Sequence, residues 1–120
     1  MEPQIKVIRF GMVKAGGKTV KHDILIGLDG EVRKRKKRLS KEVYGTSHTI
    51  SLAEARAILE EGADTLIIGT GHFDRVRLSR EAEEYLAKEH CAVEMLPTRK
   101  AAKHWNRSKG NVIGVFHITC

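Results

Sequence analysis

The chain has 120 residues, of which 41% are hydrophobic and 31% charged, and its 22 Lys and Arg outnumber 15 Asp and Glu to give a net charge of +7. This composition excludes a wholly disordered chain, and the length predicts a single domain over residues 1–120 with one modest core. No apolar run approaches the ~20 residues that a membrane-spanning helix requires, so we expect no membrane segment.

The positive charge is concentrated at the two ends of the sequence. Residues 1–41 carry a net charge of +8, residues 42–97 a net charge of −6, and residues 98–120 a net charge of +5. This asymmetry predicts surface regions of opposite sign, and the excess of cations makes nucleic acid one partner to test. Only three Asn and Gln side chains accompany the many charges, a composition typical of heat-adapted proteins.

The N-terminal third is predicted to form an antiparallel β-meander. β-Branched and aromatic residues favour a strand over residues 5–13. Gly16-Gly17 favours a turn, and a second strand is predicted over residues 19–28. Asp29-Gly30 predicts another hairpin turn before a third strand over 31–38. That third strand would carry six consecutive cations, namely Arg33, Lys34, Arg35, Lys36, Lys37 and Arg38.

This basic run, residues 33–38, has two interpretations. Lysines on an edge strand block pairing between sheets, so the run would be a solvated edge, although strand alternation turns half of its side chains to the other face. Alternatively, the run contacts the phosphates of RNA or DNA. No aromatic residue interleaves it, which weakens the case for stacking on bases. The candidate nucleic-acid contacts are Arg33, Lys34, Arg35, Lys36, Lys37, Arg38, Arg99, Lys100, Lys103, Arg107 and Lys109.

From residue 51 onward, the pattern alternates between helices and strands. Residues 41–49 are predicted as a loop, after which Ser51 and Glu54 match a capping box. The helix that they start is expected to end at Gly62 in a left-handed conformation. A wholly apolar strand over 65–68 follows, as expected for a strand that is buried on both faces.

The alternation continues to the end of the sequence. Ser79 is predicted to cap a helix over 80–89, a strand spans 91–95, and Thr98 is predicted to cap a helix that ends near residue 108. Residues 112–118 form the last strand. Such alternation implies parallel strands joined by crossover helices. The predicted fold class is therefore α/β, a three-layer single domain in which an N-terminal antiparallel β-meander joins a mixed sheet with about three crossover helices.

Few residues suggest catalysis or metal binding. Gly69-Thr70-Gly71 follows a buried strand, where open α/β sheets bind ligands, but it matches neither the dinucleotide fingerprint nor a P-loop. No two of the six histidines have the spacing of a helical metal-ligand pair. His117 and Cys120 could form a thiol–imidazole pair only if the chain bends after Thr119. Cys91 and Cys120 match no zinc motif, and the sequence does not decide whether they form a disulfide.

Six short motifs follow one another along nearly the whole chain. They are Arg9-Phe10-Gly11, His22-Asp23-Ile24, Tyr44-Gly45-Thr46-Ser47-His48, Ile68-Gly69-Thr70-Gly71, Leu96-Pro97-Thr98 and His117-Ile118-Thr119-Cys120. In this order they resemble the Mth938-like domain family, a domain of unknown function, and above all its archaeal members. The resemblance implies a three-layer α/β fold. Distant members of the family include a mitochondrial factor for the assembly of respiratory complex I and an adipogenesis-associated protein.

The resemblance also implies a candidate site. The positions that recur in the family correspond here to Asp23, His48, Gly69, Gly71, Thr98, Asn106 and Cys120. Together with Thr46, Thr70 and His117, they are expected to line a small cleft at the carboxyl ends of the parallel strands.

We therefore expect a non-enzymatic binding or assembly module whose cleft takes an unknown protein partner or a small anionic ligand, without a cofactor or a metal. One alternative is an RNA- or DNA-binding protein that uses the basic run. The other is a small-molecule enzyme with His48 or His117 as a base and the loop Gly69–Gly71 as an anion site. No signal peptide is visible in the first residues, so a cytoplasmic protein is expected, and the sequence leaves formation of an oligomer open.

Overall fold

Ten strands and four helices form the fold, and from residue 51 onward they alternate as the sequence predicts, apart from one additional short strand over residues 77–78. The structure is a computed structural model that describes residues 1–120. The strands are β1 (Ile5–Arg9), β2 (Met12–Ala15), β3 (Lys18–Val20), β4 (Ile24–Ile26), β5 (Val32–Lys34), β6 (Thr49–Ile50), β7 (Thr65–Thr70), β8 (Arg77–Leu78), β9 (Ala92–Leu96) and β10 (Val112–His117). The helices are α1 (Arg38–Tyr44), α2 (Leu52–Ile58), α3 (Arg80–Lys88) and α4 (Thr98–Arg107). None of them is long and apolar enough to cross a membrane.

The strands form three sheets. A five-stranded mixed sheet has the order β5-β4-β10-β7-β9, in which β10, β7 and β9 run parallel to one another. β4 pairs antiparallel with β10, and β5 pairs antiparallel with β4. The strands β1, β2 and β3 form a separate antiparallel meander. The short strands β6 and β8, which sequence reasoning did not predict, pair in parallel. The predicted α/β class, with a meander and a mixed sheet, is confirmed.

Two apolar cores lie on opposite faces of the mixed sheet, because neighbouring side chains on β7 and β10 point in opposite directions. Ile67 and Phe116 belong to the core that β1, β2 and α4 cover, where Trp105 packs edge-on against Phe116 with ring centroids 5.9 Å apart. Leu66 and Ile113 belong to the core that α2 and α3 cover. The fold therefore has the three layers that the sequence predicts.

Both N-terminal strands that were predicted as continuous are interrupted. Residues 5–13 form β1 and β2, joined by a turn in which the amide of Gly11 donates to the carbonyl oxygen of Ile118 at 2.7 Å. Residues 19–28 form β3 in the meander and β4 in the mixed sheet, and the break falls at Asp23, whose Oδ1 accepts the amide of Ile118 at 2.9 Å. Backbone groups of Ile118 therefore hold both breaks, a contact that the local pattern does not encode.

The third strand is shorter than the predicted range 31–38, and the predicted loop over 41–49 contains most of a helix and the start of a strand. β5 ends at Lys34, although it does lie at the edge of the mixed sheet, and Arg35 then turns into the protein. Arg38 already begins α1, and β6 takes up the end of the predicted loop. α1 has no side-chain cap and no acidic residue in its first turn, so the usual signals of a helix start are missing from its sequence.

The capping box predicted at the start of α2 is half formed. Ser51 caps α2 by accepting the amide of Glu54 at 3.1 Å, but Glu54 does not bind the amide of Ser51, which donates to Oγ of Ser40 at 2.9 Å. α2 ends at Ile58 rather than at Gly62, which adopts a φ of +90° in the loop that follows.

The caps of the last two helices differ in how well the sequence predicted them. Ser79 caps α3 as predicted, because its Oγ accepts the amide of Ala82 at 3.1 Å. Thr98 is not a cap, since Pro97 occupies that position and Thr98 is the first residue of α4. The hydroxyl of Thr98 instead joins the helix to the ends of two strands.

Candidate functional site

The carboxyl ends of β7 and β10 meet the start of α4 at one edge of the mixed sheet. Oγ1 of Thr98 donates to the carbonyl oxygen of His117 and accepts the amide of Gly71 at 2.8 Å. A Cβ added at Gly69 would lie 3.0 Å from the same Oγ1, so strand and helix are in close contact. Thr70 is fully buried and pairs with His117 in the parallel register. The structure thus brings these predicted site residues together.

Arg35 occupies the centre of a buried ion network, which we call the Arg35 network and define as Asp23, Arg35, Glu54 and His117. The guanidinium binds both carboxylate oxygens of Glu54, through Nε at 2.7 Å and Nη2 at 3.0 Å. Its Nη1 donates to Oδ2 of Asp23 at 3.0 Å, and Nη2 also donates to the carbonyl oxygen of Ser47 at 2.8 Å. The side chains of Arg35 and Glu54 are each 1% exposed. The network joins α2 and β4 to the segment that follows β5.

Glu54 binds Arg35 and Ser40 instead of completing the predicted capping box. Its Oε1 accepts the hydroxyl of Ser40 at 2.5 Å in addition to Nη2 of Arg35. A carboxylate that is held by these donors cannot also reach back to the start of α2. Sequence reasoning missed Arg35 and Glu54 as a buried pair, although strand alternation required part of the basic run to face inward.

His117 extends the network to β10. Its Nδ1 lies 2.7 Å from Oδ2 of Asp23, and its Nε2 lies 3.2 Å from Oγ1 of Thr119. The ring of His48 packs edge-on against it with centroids 5.3 Å apart, and Oγ1 of Thr46 accepts the amide of His48 at 3.1 Å. Burial, together with the charges of His117, Arg75 and Arg35, lowers the pKa of His48.

The charges of the Arg35 network act strongly on Asp23. Burial by itself would raise the pKa of this carboxyl group. The hydrogen bond and charge of His117, the amide of Ile118 and the charge of Arg35 outweigh burial, so the pKa of Asp23 lies below its ordinary value of 3.8. The ionised carboxylate of Asp23 therefore stabilises the folded state.

This shift predicts an acid-dependent loss of stability. As the pH falls below 3.8, the unfolded chain binds a proton at Asp23 before the folded protein does. The contribution of Asp23 to the free energy of unfolding is therefore complete above that pH, and it is lost as the pH falls further through the pKa of Asp23 in the folded protein. We expect the difference in free energy of unfolding between the wild type and Asp23→Asn to be constant near neutral pH and to shrink below 3.8. Urea unfolding curves recorded at a series of pH values measure it. A difference that stays the same down to about pH 2 would contradict the assignment.

Asp23, His117 and Thr119 have the connectivity of a carboxylate–imidazole–hydroxyl triad. Acyl-transfer chemistry also needs free hydrogen-bond donors for a developing oxyanion. The nearby amides are already used: that of Gly71 donates to Thr98, that of His72 to the carbonyl oxygen of Thr119, and that of Phe73 to the carbonyl oxygen of Cys120. This geometry favours a structural role for the triad and gives no support to His117 as a base.

The residues gathered at the carboxyl edge line no surface cavity. Of the ten residues predicted to line a cleft there, only Asn106 borders any of the five surface cavities, and that cavity lies elsewhere. The backbone of Cys120 occupies the space in front of Gly71, where an added Cβ would overlap its carbonyl carbon. Neither Cys120 nor Cys91 forms a disulfide, and burial, with the charge of Asp64, raises the pKa of Cys91.

Asn106 lies apart from the other predicted cleft residues. It sits in the last turn of α4, whereas Thr98 begins that helix at the carboxyl edge. Its Oδ1 accepts the amide of Ile5 at 2.7 Å, and its Nδ2 donates to the carbonyl oxygen of Ile5 at 2.8 Å. Asn106 therefore ties α4 to β1 at the opposite end of α4 from Thr98.

The basic run does not form one cationic surface. Arg35 is buried and neutralised, and Arg33 pairs with Asp29 and Glu31 at 2.9 Å each. Arg38 lies 3.5 Å from Glu42. The remaining cations of the run, Lys34, Lys36 and Lys37, border a cavity of about 600 Å³ that contains no aromatic residue.

A second group of cations surrounds a groove between β1 and α4. We call it the basic groove and define it by Lys6, Lys14, Arg99 and Lys103, which line a cavity of about 440 Å³ without any acidic residue. None of these four side chains takes part in an ion pair. Lys6 and Lys14 lie directly opposite each other in the antiparallel register of β1 and β2. Sequence reasoning named Arg99 and Lys103 but missed the two lysines, which only the pairing of the strands brings to α4.

Lys100 and Arg107 are exposed on α4, outside the lining of the basic groove. His104, between them, is paired with Glu94. The cations that sequence reasoning grouped as one nucleic-acid surface are therefore dispersed. Five line the cavity beside the basic run, two line the basic groove, and four line neither, namely Arg33, Lys100, Arg107 and Lys109.

Comparison with known proteins places this fold in a family of uncharacterised domains. A family model described as "Protein of unknown function (DUF498/DUF598)" matches residues 5–116, and the chain belongs to this family. The chain is 34% identical to the conserved hypothetical protein PH1505 from Pyrococcus horikoshii OT3, with a TM-score of 0.89 over 97% of this chain and 98% of that one. It is 30% identical to the protein MT938, with a TM-score of 0.82 over 98% of each chain.

A more distant structure shows the same fold. A Mth938-like domain from Bordetella pertussis, whose structure was solved by NMR in solution, is 20% identical, with a TM-score of 0.60 over 94% of this chain and 85% of that one. The resemblance to Mth938-like domains is thus confirmed. PH1505 comes from an archaeal thermophile, which agrees with the heat-adapted composition. These relatives indicate no specific function.

Proposed function

We propose that this chain is a binding module that takes a phosphate-bearing ligand in the basic groove. The observation that carries the proposal is the convergence of Lys6, Lys14, Arg99 and Lys103 on one cavity that holds no acidic residue. The volume of about 440 Å³ lies within the range of small-molecule sites. The amide side chains of Gln4 and Asn106 also line it and add polar groups.

The unpaired charges of the groove support a role in binding. Like charges directly opposite each other on neighbouring strands destabilise a sheet, and Lys6 and Lys14 have this arrangement. The chain has 15 Asp and Glu residues, yet none of them lines the groove. A bound anion relieves this repulsion, so binding a phosphate group stabilises the folded protein.

Competing sites fit a ligand less well. The residues that meet at the carboxyl edge, where a cleft was expected, line none of the five surface cavities. The cavity beside the basic run is lined by Arg35, which is already committed to Asp23 and Glu54, and by Arg38, which lies near Glu42. The free lysines of that cavity still offer a matched control for an experiment.

Inorganic tripolyphosphate is the probe that tests the groove. We expect Lys14→Gln/Lys103→Gln to weaken binding at least about tenfold in calorimetric titrations at low salt. The control Lys36→Gln/Lys37→Gln removes the same charge from the other cavity and is expected to change the affinity by less than about twofold. Equal weakening in both double variants would show that net charge, not the groove, binds the anion. Failure of the wild type to bind would refute the proposal.

The expected cytoplasmic location fits this role. Both cysteines are free thiols, which is the usual state in a reducing compartment. Phosphate-bearing metabolites and nucleic acids are the main anions that such a groove would meet there.

A further inference from the structure

We propose that the natural ligand of the basic groove is a single-stranded nucleic acid whose bases stack on an exposed aromatic cluster next to the groove. We define the aromatic cluster as Phe10, His72 and Phe73. This inference rests on the proposed function, because the groove supplies the phosphate contacts. It differs from the interpretation of the basic run, which offers no aromatic surface.

The aromatic cluster exposes an unusual amount of apolar ring surface. Phe10 is 50% exposed and Phe73 is 66% exposed, although the chain has only three phenylalanines and the third, Phe116, is fully buried. The ring centroids of Phe10 and Phe73 lie 6.2 Å apart, and Phe10 lies 5.3 Å from the ring of His72. Large aromatic side chains left in water in this way mark binding surfaces.

The cluster is held in place by backbone contacts to one segment, residues 118–120. Gly11, next to Phe10, donates its amide to the carbonyl oxygen of Ile118 at 2.7 Å. The amide of His72 donates to the carbonyl oxygen of Thr119 at 2.7 Å, and that of Phe73 to the carbonyl oxygen of Cys120 at 3.1 Å. Two turns that are distant in sequence are thus fixed side by side, which reduces the entropy lost when a ligand binds.

β1 and Arg99 link the groove to the cluster. β1 lines the groove with Ile5, Lys6 and Val7, and the next residue after β1 is Phe10. Arg99 connects the two regions from the side of α4: Nη1 donates to the carbonyl oxygen of Val7 at 3.5 Å, and its charge contributes, after burial, to lowering the pKa of His72. A chain that lies along β1 would therefore pass from lysines to aromatic rings.

This combination matches the chemistry of single strands. Proteins that bind them without sequence preference use a positively charged groove for the backbone and aromatic rings on which successive bases stack. An acidic peptide would satisfy the cations but would gain little from Phe10 and Phe73. A duplex would keep its bases stacked on one another and out of reach of the rings.

The experiment compares three probes on the same protein variants. They are a fluorescein-labelled oligouridylate of about 12 nucleotides, poly-glutamate of similar charge, and inorganic tripolyphosphate. We expect Phe10→Ala/Phe73→Ala to weaken oligouridylate binding at least about tenfold and to leave tripolyphosphate binding unchanged. Val43→Ala, which removes an exposed apolar side chain on α1, is the control and should have no effect.

The outcomes separate this inference from the proposed function. If tripolyphosphate binds the groove but oligouridylate gains nothing from Phe10 and Phe73, the inference is overturned and the anion site stands. If poly-glutamate binds as tightly as oligouridylate, the partner is an acidic protein and the inference is likewise overturned. If no probe binds the wild type, the proposed function fails as well. Circular dichroism spectra of the double variant identical to those of the wild type exclude misfolding as the cause of weaker binding.

Discussion

Replacing Arg35 by methionine is expected to lower the free energy of unfolding by about 3–5 kcal/mol. The variant removes the only cation that contacts Glu54 and one that contacts Asp23, and both carboxylates are buried. Methionine fills part of the volume but offers no donor to either group. Glu54 would be left buried without a cation, while Asp23 would keep only His117 and the amide of Ile118. A buried carboxylate without its cation costs far more than the lost ion pair contributes. Guanidinium chloride unfolding curves at neutral pH measure the change.

Arg33→Met is the matched control for this prediction. Arg33 belongs to the same basic run and also binds two carboxylates, those of Asp29 and Glu31, but it does so at the surface. We expect its unfolding midpoint to stay close to that of the wild type. If Arg35→Met fails to fold, Arg35→Lys keeps the charge while losing the bidentate contact to Glu54, and it should fall between the two. Equal midpoints for Arg33→Met and Arg35→Met would contradict the importance of the network.

Gly71→Ala is expected to destabilise the protein by about 2–5 kcal/mol. Gly71 has a φ of +99°, a conformation that alanine adopts only with strain, and the added Cβ would overlap the carbonyl carbon of Cys120. The neighbour is backbone, so relief requires the segment of residues 118–120 to move. Because this segment holds His72 and Phe73, their amides should also exchange with solvent deuterium faster in the variant.

Gly62→Ala distinguishes backbone strain from the steric clash. Gly62 has a similar φ of +90°, but nothing lies within 4 Å of an added Cβ. It should therefore show only the backbone cost, about 1 kcal/mol, with unchanged exchange at His72 and Phe73. If both glycine variants lose the same stability, the contact between Gly71 and Cys120 is not a constraint on the fold.

Most of the helices and strands could be predicted from the local sequence pattern. The helix α3 begins at the predicted residue, because its serine cap is a local signal, and it ends one residue before its predicted end. The predicted apolar strand over 65–68 forms the first four residues of β7, which continues to Thr70. The helix α1 was missed, since neither a capping side chain nor an acidic first turn marks its beginning. The prediction of strands over 5–13 and 19–28 failed where Ile118 interrupts both.

The candidate site was predicted less well than the fold. The motifs correctly brought Asp23, Gly71, Thr98 and His117 to one edge of the sheet, because parallel strands end on the same side. They could not indicate that the backbone of Cys120 occupies the space in front of Gly71. Asn106 lies away from this edge, because nearly the full length of α4 separates it from Thr98.

Hydropathy and cap signals were sufficient for the α/β class and the order of its later elements, because helices and strands form from residues that are near in sequence. The roles of the charged side chains could be determined only from the tertiary structure. Arg35 binds Glu54, which lies 19 residues away in the sequence, and His117 contacts Asp23, which lies 94 residues away. The basic groove likewise exists only where β1, β2 and α4 pack together. Whether a cation is neutralised, solvated or free to bind depends on which side chains surround it, and the distant contacts of the fold decide that.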